Sequence, residues 1–216
     1  MYRPVVYIVD DDPSLRRSLA LWLGFCSLAT RDFASAEQFL EAVDTPCWGC
    51  AIVDMRMGGM DGLQLQAQLR ARKIELPVLF LTGHGDVPTV RNALKSGAFD
   101  FLEKPIDNQQ LIERVGAALA LDETRWQGQR QAELVRERIA RLTARERAVM
   151  EQVVAGRHNR EIAAQLGISA RTVEVYKARL MDKLDVHRVA DLVRFSLGAQ
   201  APSAPAVPPE SPAPHG

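Results

Sequence analysis

The sequence has few cysteines, few aromatic residues and no long apolar stretch. Its 216 residues include three cysteines, and aromatic side chains make up 6% of the chain. No apolar run approaches the roughly 18 residues that a membrane-spanning helix requires, so a membrane protein is not expected. The first residues, Met1–Pro4, lead straight into a strand-like segment and do not have the pattern of a signal peptide. We therefore expect a cytoplasmic protein of one large or two ordinary domains.

Two of the cysteines stand in Cys47-Trp-Gly-Cys50, a spacing found in thioredoxin-type redox sites. Such a site needs its first cysteine at a helix N-terminus, where the helix dipole lowers the thiol pKa. Here the pair precedes a predicted strand, Ala51–Asp54, and no helix follows at once. We therefore predict a loop that happens to hold two thiols.

The whole chain also lacks net charge, with 27 basic and 27 acidic residues. Its two parts differ, because residues 1–121 carry a net charge of −3 and residues 122–216 a net charge of +3. Zero overall charge argues against a nucleic-acid partner, whereas this asymmetry favours an acidic module joined to a basic one.

Short apolar strands alternate with amphipathic helical segments in the first part of the chain. The strands are predicted at Val5–Val9, Leu28–Arg31, Ala51–Asp54, Pro77–Thr82 and Phe99–Glu103. The helices are predicted at Ser14–Phe25, Ala36–Ala42, Gly62–Arg70, Val87–Ser96 and Asn108–Leu121. Five strand–helix units of this spacing predict a flavodoxin-like fold, a parallel five-stranded sheet with helices on both faces.

Polar residues stand at the ends of four predicted strands. They are Asp10-Asp11-Asp12 after strand one, Asp54 at the end of strand three, Thr82 at the end of strand four, and Glu103-Lys104-Pro105 around the end of strand five. Because these ends share one edge of a parallel sheet, the side chains should converge. Packed carboxylates repel one another unless a cation lies among them, and Mg²⁺ prefers such oxygen ligands. Carboxylates, Mg²⁺, a lysine and a hydroxyl suit an aspartyl-phosphate site, and Asp54 on the central strand is the expected nucleophile.

These motifs resemble those of response-regulator receiver domains. The resemblance rests on Val9-Asp-Asp11, Asp54-Met-Arg-Met57, Gly59-Met-Asp-Gly62, Leu81-Thr-Gly-His-Gly85 and Glu103-Lys-Pro105. It implies that Asp54 is phosphorylated by a sensor histidine kinase. The implied Mg²⁺ ligands are Asp10, Asp11, Asp54 and the backbone carbonyl of Arg56, and the implied phosphoryl contacts are Thr82 and Lys104. It further implies that Thr82 and Phe101 act as a conformational switch, and that the Lys104–Pro105 peptide is cis.

One position departs from the receiver pattern. Gly58 stands in the loop after the phospho-acceptor, where this family usually has proline. Glycine frees the backbone, so the resemblance predicts a more mobile loop and an altered phosphoryl lifetime, but no loss of activity.

The second part of the chain is predicted to be helical. Thr143 and Glu146 have capping-box spacing at the start of a helix that ends near Ala155. Three more helices are predicted, namely Arg160–Leu166 capped by Asn159, Ala170–Leu184 capped by Ser169, and Arg188–Leu197. A short helix, a turn at Gly167 and a longer helix describe a helix-turn-helix.

The longer helix divides into two faces. Val173, Tyr176, Leu180 and Leu184 recur at helical spacing and should face the core, so the other surface could enter the major groove of DNA. The predicted phosphate contacts are Arg171, Thr172, Lys177, Arg179 and Lys183. The predicted base contacts are Glu174, Val175 and Ala178.

Four motifs in this part resemble a LuxR-type helix-turn-helix. They are Leu142-Thr-Ala-Arg-Glu-Arg147, Val154-Ala-Gly156, Asn159-Arg-Glu-Ile-Ala163 and Ser169-Ala-Arg-Thr-Val-Glu-Val175. Together with the receiver motifs they make the whole chain similar to FixJ/NarL-type response regulators. The motif sequences are nearest those of the FixJ branch. The resemblance implies a homodimer on phosphorylation, promoter DNA and RNA polymerase as partners, and activation of transcription.

The predicted domain order is a receiver at 1–121, a solvated helical linker at 122–141, a helix-turn-helix domain at 142–197 and a disordered tail at 198–216. The tail holds six of the twelve prolines and too little apolar surface to order itself.

Three other functions fit parts of the sequence. A phosphatase using an aspartyl-phosphate would need a second acid two residues after Asp54, where Arg56 stands, so we expect no enzyme. A constitutive DNA-binding protein would have a vestigial receiver, and the intact acidic cluster argues against that reading. A signalling adaptor would have no need of the helix-turn-helix.

Overall fold

The computed structural model describes residues 3–43, 45–83 and 97–200, with side chains described as far as residue 196. The described chain forms two compact units that divide between Trp126 and Gln127. Within it, no helix is both long enough and apolar enough to cross a membrane. The predicted helix Val87–Ser96 and the predicted tail after Gln200 lie outside the described residues.

The first unit is built on a parallel five-stranded sheet, which confirms the predicted fold class. Its strands are β1 (Val5–Val9), β2 (Ala29–Phe33), β3 (Gly49–Asp54), β4 (Val78–Thr82) and β5 (Asp100–Glu103). Its described helices are α1 (Pro13–Phe25), α2 (Ala36–Ala42), α3 (Gly62–Ala71) and α4 (Asn108–Ala140), the last of which continues into the second unit. The strand order is β2-β1-β3-β4-β5, so β3 is central.

Alternating side chains of the strands form two apolar layers. Val53 and Phe80 pack in one cluster with residues of α2 and α3, and Ile52 and Leu81 pack in another with residues of α1 and α4. All six residues of β3 are buried, as expected for a central strand covered on both faces. Strand β4 beside it is likewise buried along its whole length.

The cysteine pair is split between a loop and β3. Cys50 is a buried residue of β3, whereas Cys47 precedes the strand and is half-buried, so the predicted loop is correct for Cys47 only. All three cysteines are free. Burial raises the pKa of the Cys50 thiol to about 12 and also raises the pKa of Cys47, so their surroundings favour the protonated form of both thiols.

Helix α4 runs unbroken through most of the predicted linker. Asp122 is only 1% exposed, and its Oδ2 accepts a hydrogen bond of 2.7 Å from the backbone N–H of Gly49 at the start of β3. One turn later, Trp126 packs edge-on against Trp48 at a centroid distance of 6.5 Å. The first five residues of the predicted solvated linker therefore belong to the first unit, and Asp122 among them is buried.

The second unit is helical, as predicted. After the end of α4 it contains α5 (Ala144–Val154), α6 (Asn159–Leu166), α7 (Ala170–Leu184) and α8 (Val189–Gln200). Thr143 and Glu146 form the predicted capping box, and Ser169 caps α7 through the N–H of Thr172 at 3.0 Å. The buried side chains of α7 are Val173, Leu180 and Leu184, with Tyr176 packed beside them.

Two helix ends differ from the prediction. Asn159 is the first residue of α6, and the capping position belongs to His158, whose N–H donates to the Glu161 carboxylate at 2.7 Å. Helix α8 continues to Gln200, past the predicted start of the tail at Gly198. Glu161, the third residue of α6, thus accepts the N–H of the capping residue, which is one of the two bonds of a capping box.

Candidate functional site

The carboxyl ends of the strands bring three aspartates together. Asp10 follows β1 and Asp54 ends β3, and both are buried, whereas Asp11 is exposed. One carboxylate oxygen from each of the three lies within 4.8 Å of the other two. Carboxylates this close repel one another, so the cluster favours a bound cation.

Lys104, directly after β5, lies between two of these carboxylates. Its Nζ is 3.0 Å from Asp10 Oδ2 and 3.1 Å from Asp54 Oδ1. Burial opposes the charged form of the lysine, but the hydrogen bonds to Asp10 and Asp54 outweigh it and raise the pKa of Lys104. Burial also raises the pKa of Asp54, against the hydrogen bond from Lys104. One ammonium therefore faces three carboxylates, and the cluster keeps excess negative charge.

Backbone contacts fix the aspartates in place. Arg16 of α1 donates from Nη1 to the carbonyl oxygen of Asp10 at 2.7 Å, and the N–H of Asp12 donates to Asp10 Oδ1 at 2.8 Å. At the start of α3, a Cβ on Gly62 would lie 2.7 Å from the carbonyl oxygen of Asp54. Only glycine permits this close approach of α3 to the end of β3. Sequence reasoning missed Arg16, because an arginine on an amphipathic helix carries no distinguishing signal.

The donor set fits a magnesium ion. Carboxylate oxygens are the hard ligands that Mg²⁺ takes, and Asp10, Asp11 and Asp54 supply three of them at one point. The backbone N–H of Arg56 is hydrogen-bonded to the Asp54 carboxylate. The carbonyl of Arg56 as a further ligand stays a prediction.

The loop that carries Gly58 is anchored at two points. The N–H of Gly58 donates to Asp11 Oδ2 at 3.3 Å, and the N–H of Met60 donates to Glu37 Oε1 at 2.9 Å. Hydrogen bonds from its own backbone, from Met60 and from Ser35 lower the pKa of Glu37. These two bonds connect the loop to Asp11 and Glu37, and the greater mobility expected from Gly58 stays a prediction. Glu37 was missed because an acid in the first turn of a helix is common and marks no site.

The two predicted switch residues lie on the neighbouring strands β4 and β5, where Thr82 pairs with Glu103 and Phe101 pairs with Phe80. Thr82 ends β4 and is 2% exposed, and its Oγ1 is 3.5 Å from the carbonyl oxygen of Leu102. Phe101 of β5 is 38% exposed. The Lys104–Pro105 peptide is cis, as the resemblance implied. The switch roles of Thr82 and Phe101 stay predictions.

Helix α7 exposes most of its predicted DNA contacts on one surface. The exposed residues are Arg171, Glu174, Val175, Ala178 and Arg179, and Val175 is 43% exposed although it is apolar. An exposed apolar side chain between charged ones suits contact with a thymine methyl group. This surface has the composition of a major-groove reading helix.

The other three predicted contacts have different surroundings. Thr172 is half-buried, and its Oγ1 lies 2.7 Å from Ser169 Oγ in the cap of α7. Lys183 donates from Nζ to Glu146 Oε2 at 2.7 Å, which ties α7 to α5. Lys177 is half-buried and lines a cavity at the start of α6. The structure therefore does not gather all eight predicted residues on one surface.

Comparison with known proteins agrees with both halves of this description. Residues 6–116 match the response regulator receiver domain, and residues 140–196 match the bacterial regulatory proteins of the luxR family. The transcriptional regulatory protein FixJ of Bradyrhizobium diazoefficiens is 38% identical over 194 residues, which cover 90% of this chain and 95% of that protein. The transcriptional regulatory protein TdiR of Thauera aromatica is 42% identical over 190 residues, which cover 88% of this chain and 84% of that protein.

A solved structure is similar over most of the chain. The response regulator StyR is 37% identical, has a TM-score of 0.80, and is matched over 91% of this chain and 99% of its own. Receiver and luxR-family regions follow one another here as in that group, whose members are transcription factors and not enzymes. The chain therefore belongs to the FixJ-type two-component transcriptional response regulators.

Proposed function

We propose that a sensor histidine kinase phosphorylates Asp54, and that the phosphorylated chain dimerises and binds promoter DNA through α7. The observation that carries this proposal is the position of Lys104 between Asp10 and Asp54, with Asp11 beside them. A single lysine and an excess of carboxylates form a site with room for one more cation and one phosphoryl group.

The chemistry follows from the charges at the site. An ionised Asp54 oxygen attacks phosphorus, the bond from phosphorus to the histidine nitrogen breaks, and the electron pair of that bond stays on the imidazole. Lys104 exchanges a carboxylate contact for a phosphoryl oxygen, and Thr82 donates its hydroxyl to another. Asp10, Asp11, Asp54 and the Arg56 carbonyl would hold Mg²⁺, which offsets negative charge on the phosphoryl oxygens.

The consequence for the rest of the chain is a change of the sheet edge at Thr82 and Phe101. Phosphorylation adds charge at the carboxyl ends of the strands and draws Thr82 toward the phosphoryl group, and the half-exposed ring of Phe101 follows into the space that opens. The repacked surface then dimerises. Two copies of α7 suit two DNA half-sites about one helical turn, or a multiple of it, apart.

The downstream steps complete the proposal. The exposed residues of α7 contact a promoter, with the arginines on phosphates and Glu174, Val175 and Ala178 on bases. The bound dimer recruits RNA polymerase and activates transcription in the cytoplasm. The similarity of the motifs to those of the FixJ branch supports activation over repression by analogy.

The first test is the intact mass of the protein after incubation with Mg²⁺ and acetyl phosphate. The parent is expected to gain one phosphoryl group and Asp54→Asn none. Asp107→Asn is the matched control, because Asp107 is an exposed aspartate after β5 whose carboxylate only caps α4. A gain that persists in Asp54→Asn would contradict the assignment of the phospho-acceptor.

The second test couples phosphorylation to DNA binding. Parent protein with and without acetyl phosphate is used to select duplexes from a random pool, and affinities are then measured by fluorescence anisotropy. Phosphorylation should raise both the dimer fraction and the affinity. An affinity indifferent to phosphorylation would favour a constitutive DNA-binding protein with a silent receiver.

A further inference from the structure

The loop from Met55 to Asp61 joins the acceptor strand β3 to α3, and both of its ends are fixed. Met55 donates from its N–H to the neighbouring strand β4 at 2.9 Å, and Asp61 is the cap of α3. The middle of the loop contains two adjacent glycines, Gly58 and Gly59. Because glycine has more accessible backbone conformations than other residues, this part of the loop depends on contacts from outside it.

Glu37 of α2 supplies such a contact. Its Oε1 accepts the N–H of Met60 at 2.9 Å. A Cβ on Gly59 would lie 3.0 Å from the same oxygen, and the φ of Gly59 is +86°. The left-handed backbone and the close approach of the carboxylate both favour glycine at this position. Gly59 therefore allows the carboxylate of Glu37 to reach the N–H of Met60.

Helix α2 is a firm base for that contact. Ala36 and Phe39, which flank Glu37 in the first turn of α2, are fully buried in a core cluster that also contains residues of β3 and α3. Arg72 at the end of α3 donates from Nη1 to the carbonyl oxygen of Leu40 at 2.7 Å and so ties the two helices together. A side chain on a helix held in this way can fix a loop whose own backbone does not.

The loop contacts the acidic cluster directly. The N–H of Arg56 is hydrogen-bonded to the Asp54 carboxylate, and the N–H of Gly58 donates to Asp11 Oδ2 at 3.3 Å. Three residues separate Arg56 from Met60, and two of them are glycines. The carbonyl of Arg56 is a predicted Mg²⁺ ligand, and Mg²⁺ requires near-ideal octahedral geometry, so this part of the loop has to be held in one position.

We propose that Glu37 is a positioning residue of the phosphorylation site, which fixes the loop that carries Arg56 by accepting the N–H of Met60. The assignment rests on the proposed phosphorylation of Asp54 with Mg²⁺, and it adds a residue of α2 that contacts neither the ion nor the phosphoryl group. Glu37 limits the conformations that two adjacent glycines would otherwise allow. Its contribution is to Mg²⁺ affinity and not to the transfer step, because Asp54 itself belongs to the buried strand β3.

The test compares three variants of the full-length protein. Glu37→Ala removes the acceptor, whereas Glu37→Gln removes the charge but keeps an oxygen that can accept the N–H of Met60. Glu41→Ala is the matched control, because Glu41 is an exposed acid of the same helix. Urea unfolding checks that each variant is folded.

The first measurement is amide hydrogen exchange of residues 55–61 in metal-free protein, which reports on the loop and requires no reaction. Exchange in this segment should be about fivefold faster in Glu37→Ala than in the parent, because the N–H of Met60 loses its acceptor. Glu37→Gln and Glu41→Ala should exchange like the parent.

The second measurement is the dependence on Mg²⁺. Calorimetric titration should give about fivefold weaker Mg²⁺ binding in Glu37→Ala than in the parent. With acetyl phosphate, the Mg²⁺ concentration at half the maximal phosphorylation rate should rise by about the same factor, whereas the maximal rate should not change. A loss of stability alone would not separate these two quantities. Glu37→Gln should restore the affinity.

The proposal is wrong if Glu37→Ala matches the parent in exchange and in Mg²⁺ affinity, since the loop would then need no contact from α2. A lower maximal rate with unchanged half-saturation would also overturn it, because Glu37 would then act on the transfer step. Equal losses in Glu37→Gln or in Glu41→Ala would assign the effect to charge instead of to the hydrogen bond. Failure of the parent to bind Mg²⁺ and to be phosphorylated would remove the proposed function together with this role, and is recognised because Glu41→Ala fails equally.

Discussion

Each unit of this protein contains a lysine paired with a buried carboxylate, and the two pairs differ in one respect. The side chains of Lys104 and Lys183 are similarly exposed, at 31% and 39%. Lys104 is shared between Asp10 and Asp54 with Asp11 nearby, whereas Lys183 serves Glu146 alone. The receiver pair therefore keeps excess negative charge, and the helical pair is neutral.

The pKa values of the carboxylates in the two pairs are shifted in opposite directions. Burial raises the pKa of Asp54 in spite of its lysine, whereas the hydrogen bond from Lys183 lowers the pKa of Glu146. Glu146 also accepts from the N–H of Thr143 at 2.8 Å, so its charge is satisfied within the domain. A carboxylate whose ionised form is disfavoured by burial, such as Asp54, is suited to a reaction that removes its charge. A carboxylate whose ionised form is stabilised by its partners, such as Glu146, is suited to a structural role.

Replacing each lysine by methionine should separate the two roles most strongly. Lys104→Met removes the ammonium that meets the phosphoryl oxygens, so phosphorylation by acetyl phosphate should slow by about 100-fold. Lys183→Met should leave that rate unchanged. Intact-mass time courses measure both, and equal rates for the two variants would contradict the assignment of Lys104.

For the stability of the second unit, Lys183→Met is expected to have the larger effect of the two variants. Lys183→Met leaves Glu146 buried with one donor fewer, which should lower the free energy of unfolding by about 2 kcal/mol. Because the pKa of Glu146 is lowered in the folded state, this contribution is present at neutral pH and is lost as the pH falls through that lowered pKa.

Urea unfolding of the full chain, followed by circular dichroism at several pH values, measures this loss. Arg179→Met is the control, since Arg179 is exposed on the same helix. If Lys183→Met instead weakened DNA binding and reduced its salt slope without loss of stability, Lys183 would be a DNA contact as the sequence predicted.

Neutralising the acidic cluster should stabilise the first unit. Asp54→Asn removes a buried charge, so the melting temperature without Mg²⁺ should rise by about 2–4 °C at neutral pH. A raised pKa means that the folded parent takes up a proton more readily than the unfolded chain, so this advantage should shrink as the pH falls. Differential scanning calorimetry measures the rise.

Melting temperatures measured in the presence of Mg²⁺ check that result. The ion should stabilise the parent more than Asp54→Asn, because it binds the folded cluster and that variant lacks one ligand. Asp107→Asn should melt like the parent under both conditions. A parent that melts higher than Asp54→Asn without Mg²⁺ would mean that Lys104 already neutralises the cluster.

The smallest expected effect concerns the backbone donor to Asp11. Gly58→Pro removes the N–H that contacts Asp11 Oδ2, whereas Gly58→Ala keeps it and meets no atom within 4 Å of the added Cβ. Calorimetric titration should show Mg²⁺ binding about threefold weaker in the proline variant and unchanged in the alanine variant, the size expected for one exposed hydrogen bond. Equal weakening in both would assign the effect to the loop backbone and not to the donor.

The sheet and the acidic cluster were predictable because their signals are local. Buried strands are continuous apolar runs, and the aspartates stand directly after them, so the topology of a parallel sheet brings Asp10 and Asp54 together without further information. The capping box at Thr143 is equally local. What the prediction used was order along the chain and the shared edge of parallel strands.

The contacts that were missed join residues far apart in sequence. Asp122 lies in a charged helical stretch, and nothing there indicates burial against Gly49 in another element. Lys177 and Lys183 were predicted as phosphate contacts, but nothing in the sequence indicated that Lys183 pairs with Glu146 of α5 or that Lys177 lines a cavity with the start of α6. Glu37 likewise acquires its role from a loop that comes later in the chain.

The central place of β3 also has a consequence for how the protein folds. Val5 pairs with Gly49, and Ala51 pairs with Val78, so the acceptor strand needs chain segments from both sides before its hydrogen bonds are complete. The core of the second unit comes from neighbouring helices instead. Closing distant contacts is slow and closing near ones is fast, so refolding should proceed in a rapid helical phase and a slower sheet phase. During synthesis, the acceptor site can assemble only after Lys104 has left the ribosome.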